Sequence, residues 1–543
     1  MIGESAVVVG CSLYVFCSQF ELKQSAGYIL FHVTVFLVAC IPSVKWTAGI
    51  RKWFDLRPIA RDGMEIGSLL VPMVITSQMA FLEKWDSKYM YLKVTEVERS
   101  YLLASQLMGM FTASILLIIN HVKPMMSSVF FFMVTACIAA TIGVQLDVDI
   151  VWVSISVLLY FVALFAILWW IPGCFTIGEA MIVTQAVVLL AIDSYANLGI
   201  KLVYISPTFY NLFGIHAEVA RGTLTLWMQL LLVGSLTTGL LLLPVFYYLS
   251  LVRDYWERLT GYMAFYAVLL FTFFALLLPW SVLILGGINP FVWLWDYLDT
   301  GNIRMPLVRY WFCVVFVAVG FVAWKSLRRQ SSPNASGTIT RKVFHLLALA
   351  IYIPGVIYEP NITHLASSVA VAAFLFIEYI RLYRIGPFGE TIHSALEVFL
   401  DEKDSGPLIL THLYLLLGFA VPLWLYPVDY LKSDSTGCKL ALYSGILSLG
   451  IGDTMASVVG KRFGRCRWPG GVKTVEGTLA GIASQMLFLW SLHHKGFLFL
   501  PEERWLPVSM AIISGSVLEG WTTQIDNIVL SPFLCSLLMF KCR

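Results

Sequence analysis

An aspartate, Asp453, closes a strongly apolar run from Leu440 to Val459, and a glycine-rich loop carrying Lys461, Arg462, Arg465, Arg467 and Lys473 follows it. A carboxylate at the centre of a bilayer costs about 2.5 to 3.5 kcal/mol on insertion scales, so an acid in such a run invites a functional reading. The loop invites a phosphate. Gly464, Gly470 and Gly471 let backbone N–H groups turn toward an anion, and Lys and Arg supply charge and bidentate donors. Thr474 can cap the helix that follows. Trp468-Pro469-Gly470 adds a rigid aromatic turn able to stack on a base. The loop lacks the Gly-x-x-x-x-Gly-Lys-Ser/Thr pattern, so it is not a P-loop.

A blander reading competes at each position. Ser444, Ser448, Gly452, Ala456 and Gly460 recur every four residues, as does Gly477-x-x-x-Gly481, and such stripes are ordinary seams of close helix packing. Packing accounts for the stripe, with Asp453 paired to an interfacial arginine, but not for the loop. Glu519, Gln524, Asp526 and Asn527 interrupt the final apolar stretch. They suit a divalent ion or a proton taken from a hydroxyl, and equally a solvated loop. Arg341, Lys342 and His345 open another run, where Arg and Lys can simply snorkel to the interface. In the first half, Glu179 follows Phe175-Thr176-x-Gly178 and opens an apolar run, where it would cap a helix or pair with a loop base.

The elements that must carry these residues are membrane helices. The chain has 543 residues, 59% hydrophobic and 13% charged, with a mean hydropathy of +0.80, whereas ordinary soluble domains carry about 25% charged residues. Apolar stretches recur from end to end, which predicts an all-α, polytopic transmembrane helical bundle of about 15–17 spans, the first and last two short. The N-terminus has no basic region before its apolar run and reads as a retained first span. The net charge of +3 is spread over short loops, which argues against a nucleic-acid partner. The ten cysteines form no C-x-x-C pair and read as packing residues.

Loop charge sets the orientation. Lys45 to Arg61, Lys123, Arg253 with Arg258, and Lys325 to Lys342 fall in one set of alternate loops, which should be cytoplasmic. Carrying that parity forward puts Arg341-Lys342, Arg381 to Pro407, Lys461 to Glu476 and Glu519 to Asp526 on the cytoplasmic face. The segment from Arg381 to Pro407 reads as an amphipathic interfacial helix ended by Asp404-Ser405-Gly406-Pro407, suited to shaping the approach of a lipid. The linker 326–340 divides an N-terminal bundle, 1–325, from a C-terminal domain, 341–543.

The ordered set of motifs resembles the dolichol kinase family. It comprises Arg341-Lys342-x-Phe344-His345, Leu400 to Pro407, Gly452-Asp453-Thr454-x-Ala456-Ser457, Arg467-Trp468-Pro469-Gly470-x-x-Lys473-Thr474-x-Glu476-Gly477-Thr478 and Glu519-x-x-Thr522-x-Gln524-x-Asp526-Asn527. The resemblance covers about 338 to 530, with Phe175 to Ala180 also similar. It implies a multi-pass enzyme of the endoplasmic reticulum membrane, its site facing the cytoplasm, that transfers the γ-phosphoryl group of CTP to the terminal hydroxyl of dolichol. CTP, a magnesium or calcium ion, dolichol or a related polyprenol and membrane lipid are the implied cofactors and partners.

On this resemblance the CTP-binding segment falls on Arg465 to Thr478, including Pro469, Gly471, Glu476, Gly477 and Thr478, with Ser457 nearby and Arg341, Lys342 and His345 as further contacts. Arg465, Arg467 and Lys473 would hold phosphates, Trp468 to Gly470 the nucleoside. Asp453 and Asp526 would bind the metal, and Glu519 or Asp526 would serve as base. A CTP-dependent kinase of another lipid alcohol, a lipid cytidylyltransferase and a secondary transporter are the competing readings; a transporter would need polar residues reachable from both faces.

Overall fold

The computed structural model describes residues 2–19, 50–57, 63–89, 96–119, 150–205, 221–329, 337–397, 406–426 and 438–541, apart from 470 and 472. The described chain is helical, and it is a multi-pass membrane protein. Among the described residues eight helices are long and apolar enough to cross a membrane, and four shorter apolar helices accompany them. The chain divides into two compact units: residues 1–189 with 433–543, and residues 190–432. The expected boundary at 326–340 falls inside the second unit. The reason is that the C-terminal helices build their core against the N-terminal ones, so the first unit is discontinuous in sequence.

The first unit holds α1 (Ile2–Gln19), α2 (Met64–Tyr89), α3 (Glu96–Ile119), α4 (Ile150–Trp170) and the start of α5 (Ile177–Ile205). From the C-terminus it takes α15 (Asp453–Phe463), α16 (Val475–His494), α17 (Glu502–Trp521) and α18 (Asp526–Lys541). Its centre is α18, where Val529, Leu530, Leu534, Cys535 and Leu538 are all buried and so are Ser531 and Ser536. A helix apolar on every side belongs in the interior; the terminal stretch that looks too short to span is core. Helix α1 delivers Phe16 to a cluster with Met79 and Leu102. Pro72 lies inside α2, and the hydroxyls of Thr76 and Ser77 donate to the carbonyls of Pro72 and Met73 at 2.8 and 3.0 Å, which satisfies hydroxyls that lipid cannot. Helix α4 buries Val153, Ser156, Tyr160, Leu164 and Leu168 along one stripe and exposes Leu158, Val162, Phe165 and Trp169, an apolar outer face suited to acyl chains.

The second unit holds α6 (Thr223–Leu251), α7 (Tyr255–Thr272), α8 (Leu278–Ile284), α9 (Pro290–Asp299), α10 (Arg304–Arg329), α11 (Gly337–Tyr358), α12 (Pro360–Leu382), α13 (Gly389–Glu397) and α14 (Thr411–Leu425). Phe246 stacks on Tyr383 at 4.3 Å, within a core that includes Leu242, Leu249, Phe265 and Ile385. The expected amphipathic helix is α13, tied down by Arg381. That guanidinium pairs with Glu378 at 2.6 Å, donates to the Pro407 carbonyl at 2.6 Å and meets His393. Residues 398–405 of that motif, and Asn334 of the linker, lie outside the described residues.

Candidate active site

The run that carries Asp453 is not one regular helix. A 3₁₀ turn (Cys438–Tyr443) leads into a π-helical segment (Ile446–Gly452), and α15 begins at Asp453 itself. Wide π turns inside helices recur at functional sites, and here the π segment runs straight into α15, with the Asp453 N–H donating to the Ser448 carbonyl, so Asp453 stands at a π-to-α junction within a continuous helix. The small-residue stripe does what packing predicts. A Cβ on Gly477 would stand 2.6 Å from the Ala456 carbonyl and 3.2 Å from the Gly460 Cα, and one on Gly481 would stand 3.2 Å from the Gly452 carbonyl. Helices α15 and α16 therefore touch backbone to backbone, which fixes Asp453 relative to the start of α16.

The loop between them is a short hairpin. Arg467 and Thr474 form an antiparallel bridge, Trp468 N–H donates to the Lys473 carbonyl at 3.0 Å, and Val475 N–H donates to Cys466 at 2.8 Å. Gly471 N–H returns to the Trp468 carbonyl at 3.0 Å, with Pro469 at the position of the turn where its fixed φ is favoured. Thr474 caps α16 by accepting from Gly477 N–H at 3.3 Å. Glu476 accepts the Cys466 N–H at 2.9 Å, and that bond, followed by its own backbone N–H, holds its carboxyl below the ordinary range.

The pleat divides the basic residues. Directly opposed residues of a hairpin share a face and neighbours alternate, so Trp468 and Lys473 point together while Arg467 points away. Arg465 and Arg467 are exposed. The Trp468 indole packs edge-on against Trp521 at 4.8 Å and donates to the Thr478 hydroxyl at 2.9 Å. Gly520 leaves room for it, since a Cβ there would meet the indole nitrogen at 2.6 Å. Trp468 thus pins the hairpin to the end of α17.

On the same face, Lys473 Nζ donates to Asp526 Oδ2 at 3.0 Å and approaches Glu519 Oε1 at 4.0 Å. Burial alone would lower the Lys473 ammonium, but the carboxylates of Asp526, Glu519 and Asp453 outweigh it and hold it protonated well above the usual lysine range. The four residues with catalytic expectations, Asp453, Lys473, Glu519 and Asp526, therefore form one electrostatic cluster built from three separated segments. Among the described residues no three His, Cys, Asp or Glu side chains converge as a ready cation cage. Asp453 and Asp526 are hard oxygen donors. Magnesium bound with substrate phosphates needs only one or two such carboxylates, so the donor set fits that ion.

Ser457 is half-buried one turn beyond Asp453. Gly470 lies outside the described residues. Arg341, Lys342 and His345 belong to α11 in the second unit; His345 is half-buried there, and the side chains of Arg341 and Lys342 lie outside the described residues.

Sequence reasoning missed a second polar knot. Glu179 and Thr176 form a reciprocal capping box at the start of α5, Thr176 N–H to Glu179 Oε2 at 3.0 Å and Glu179 N–H to Thr176 Oγ1 at 3.3 Å. Glu179 also pairs with Arg57, both side chains fully buried. Capping and pairing with a loop base are both borne out. Its third bond, from Ile525 N–H at 2.8 Å, had no signal in the sequence, because it ends on a backbone atom 346 residues away.

The dolichol kinase family model matches residues 101–484. Human dolichol kinase is 35% identical over 393 residues, covering 71% of this chain and 69% of the relative. Dolichol kinase EVAN of Arabidopsis thaliana is 32% identical over 391 residues, 68% of this chain and 65% of its own. The Saccharomyces cerevisiae dolichol kinase is 34% identical over 251 residues, 46% and 44% of the two chains. No solved structure matches. With a family match over most of its length and relatives above 30% identity across more than two thirds of it, the chain belongs to the dolichol kinase family.

Proposed function

We propose that the Lys473 cluster transfers the γ-phosphoryl group of CTP to the terminal hydroxyl of dolichol, giving dolichyl phosphate and CDP. The observation that carries this reading is the convergence of Asp526, Glu519 and Asp453 on Lys473 beside a hairpin that bears two exposed arginines. Phosphoryl transfer asks a protein mainly for positioning and for neutralisation of charge on the transferring oxygens. The acceptor oxygen bonds to the γ-phosphorus as the bond from that phosphorus to the β–γ bridging oxygen breaks, its electron pair leaving with CDP. The hydroxyl proton goes to a carboxylate, Glu519 or Asp526. Lys473 meets the phosphates from the hairpin's inner face, Arg465 and Arg467 from its outer one, and Trp468 holds the hairpin in register. A divalent cation held by Asp453 and Asp526 would neutralise further phosphate charge.

Dolichol is almost wholly apolar, so its chain lies among the helices and presents only the hydroxyl. The bias of Lys and Arg among the loops supports a site facing the cytoplasm, in the endoplasmic reticulum membrane on the family resemblance. Incubating the purified protein with dolichol and γ-labelled CTP tests the reading. Label should appear in the lipid; label in pyrophosphate would mean cytidylyl transfer, and no turnover with CTP would sink the assignment.

A further inference from the structure

Resting on that reading, we propose that the sealed Arg57–Glu179 pair is a positioning device for catalysis: through Ile525 N–H it fixes the backbone that aims Asp526 at Lys473.

Three segments far apart in sequence are tied together here, all within the first unit. Arg57 N–H donates to the Phe175 carbonyl at 3.0 Å, and Gly173 N–H donates to Asp55 at 2.7 Å, so the strand of chain around Arg57 lies along the turn before α5. Glu179 Oε1 then takes the Arg57 guanidinium and the Ile525 N–H. The Thr176 hydroxyl donates to the Gln524 amide oxygen, and Gln524 N–H folds back onto the Thr522 hydroxyl at 3.2 Å. Gly63 seals the other side. It has φ of +67°, and a Cβ there would stand 2.5 Å from the Gln524 amide carbon, while one on Gly178 would stand 2.1 Å from the Gly63 carbonyl. Arg57, Glu179 and Gln524 are all within 1% of complete burial.

The consequence is geometric. Asp526 begins α18 and is held to Lys473 by a single oxygen, and the residue before it is nailed by its amide to a carboxylate that cannot move. The resting place of the Asp526 side chain is thereby decided by groups that touch no substrate. A cap or a buried ion pair that merely stabilised the fold would not require its acceptor to reach the 522–526 turn. Glu179 uses the same oxygen for the ion pair and for that turn.

Two charge-neutral pairs of substitutions separate positioning from stability. Arg57→Leu with Glu179→Gln keeps an acceptor for Ile525 N–H and leaves no buried charge; Arg57→Leu with Glu179→Leu removes the charge and the acceptor together. Wild-type protein run in parallel shows whether dolichol phosphorylation occurs at all, so failure of the function and failure of this inference are distinguishable. With kcat counted per folded molecule, the Gln pair should turn over roughly a hundredfold faster than the Leu pair, at equal KM for dolichol, because a misplacement of about 1 Å costs that much. Labelling of Lys473 with an amine-reactive reagent gives a readout independent of turnover. It should be slow in wild type and in the Gln pair, and accelerated in the Leu pair, where Asp526 is released. Equal kcat and equal labelling in the two pairs, whether both are active or both dead, would overturn the proposal.

Discussion

Two acid–base clusters of the first unit are built by opposite rules. Arg57 and Glu179 are 0% exposed, and every oxygen of the carboxylate is committed to an N–H donor. Lys473 is 32% exposed, with Asp526 at 17% and Glu519 at 9%. The carboxylate of the sealed pair is saturated with N–H donors, which offsets its desolvation, and it can accept no new partner without displacing one of them. The open cluster keeps a partly exposed ammonium that bonds Asp526 at 3.0 Å while Glu519 stands 4.0 Å away, so donor capacity is left for an incoming phosphate. The second unit repeats the backbone clamp, though not the full burial, at Arg381, whose partner Glu378 also accepts Ile409 N–H at 2.8 Å. Of the two clusters in the first unit, the sealed one clamps backbone and the open one is left for chemistry.

Substitutions at the two clusters should therefore fail in different ways. Lys473→Met should lower dolichol phosphorylation by about a thousandfold, as loss of a central transition-state charge does, yet cost less stability than breaking the sealed pair, since the lysine is partly exposed. Glu179→Leu alone should strand the Arg57 guanidinium and cost roughly 3 to 5 kcal/mol, seen first as lost folded protein, with turnover of the remaining folded molecules slowed as in the Leu pair. Thermal unfolding in detergent beside a phosphorylation assay reads both quantities. A Lys473→Met protein that unfolds, or a Glu179→Leu protein as stable as wild type, would erase the distinction. Asp453→Asn should resemble Lys473→Met, with a loss of about a hundredfold and an intact fold.

The seam between α15 and α16 links the open cluster to its scaffold. Gly477→Val would drive a side chain into the Ala456 carbonyl, and overpacking of this kind costs about 1 to 3 kcal/mol. Because the shift separates Asp453 from the hairpin, turnover per folded molecule should drop as well, by about tenfold. A variant that is destabilised but turns over normally would mean that α15 moves without consequence for the site.

These residues were legible in the sequence to different depths. Composition and run length were enough for an all-α membrane protein, because bilayer thickness acts on every span alike. The acids at 453, 519 and 526 and the lysine at 473 stood out because charge is expensive in apolar surroundings. Their convergence could not be read, since it depends on where the hairpin turns and on which face its pleat presents Lys473. Trp468 carries an aromatic signal that fits a base, and its indole is bonded to Thr478 and packed on Trp521. Arg57 had only the signal of a positively charged loop, and α18 looked like a marginal span because hydropathy does not distinguish lipid from protein core.

The finest test of the open cluster is the brace beneath it. Glu476 accepts the Cys466 N–H across the base of the hairpin, and this interaction holds the carboxyl below its ordinary value of 4.5. A depressed carboxyl contributes stability that is present above the ordinary value and lost as the pH falls through the lower, folded one. Glu476→Gln keeps an acceptor but no charge, and a neutral hydrogen bond is about half as strong as a charge-assisted one. Amide exchange at Cys466 should consequently be faster in Glu476→Gln than in wild type at neutral pH, with the two rates converging only once the pH has fallen through the depressed, folded value. Phosphorylation should change little beyond a small rise in the KM for CTP, because Trp468 and Thr474 still fix the hairpin at its other corners. Rates that stay apart below that pH would show that Gln perturbs the hairpin by shape and not by charge, and the brace would then belong with the sealed clamps.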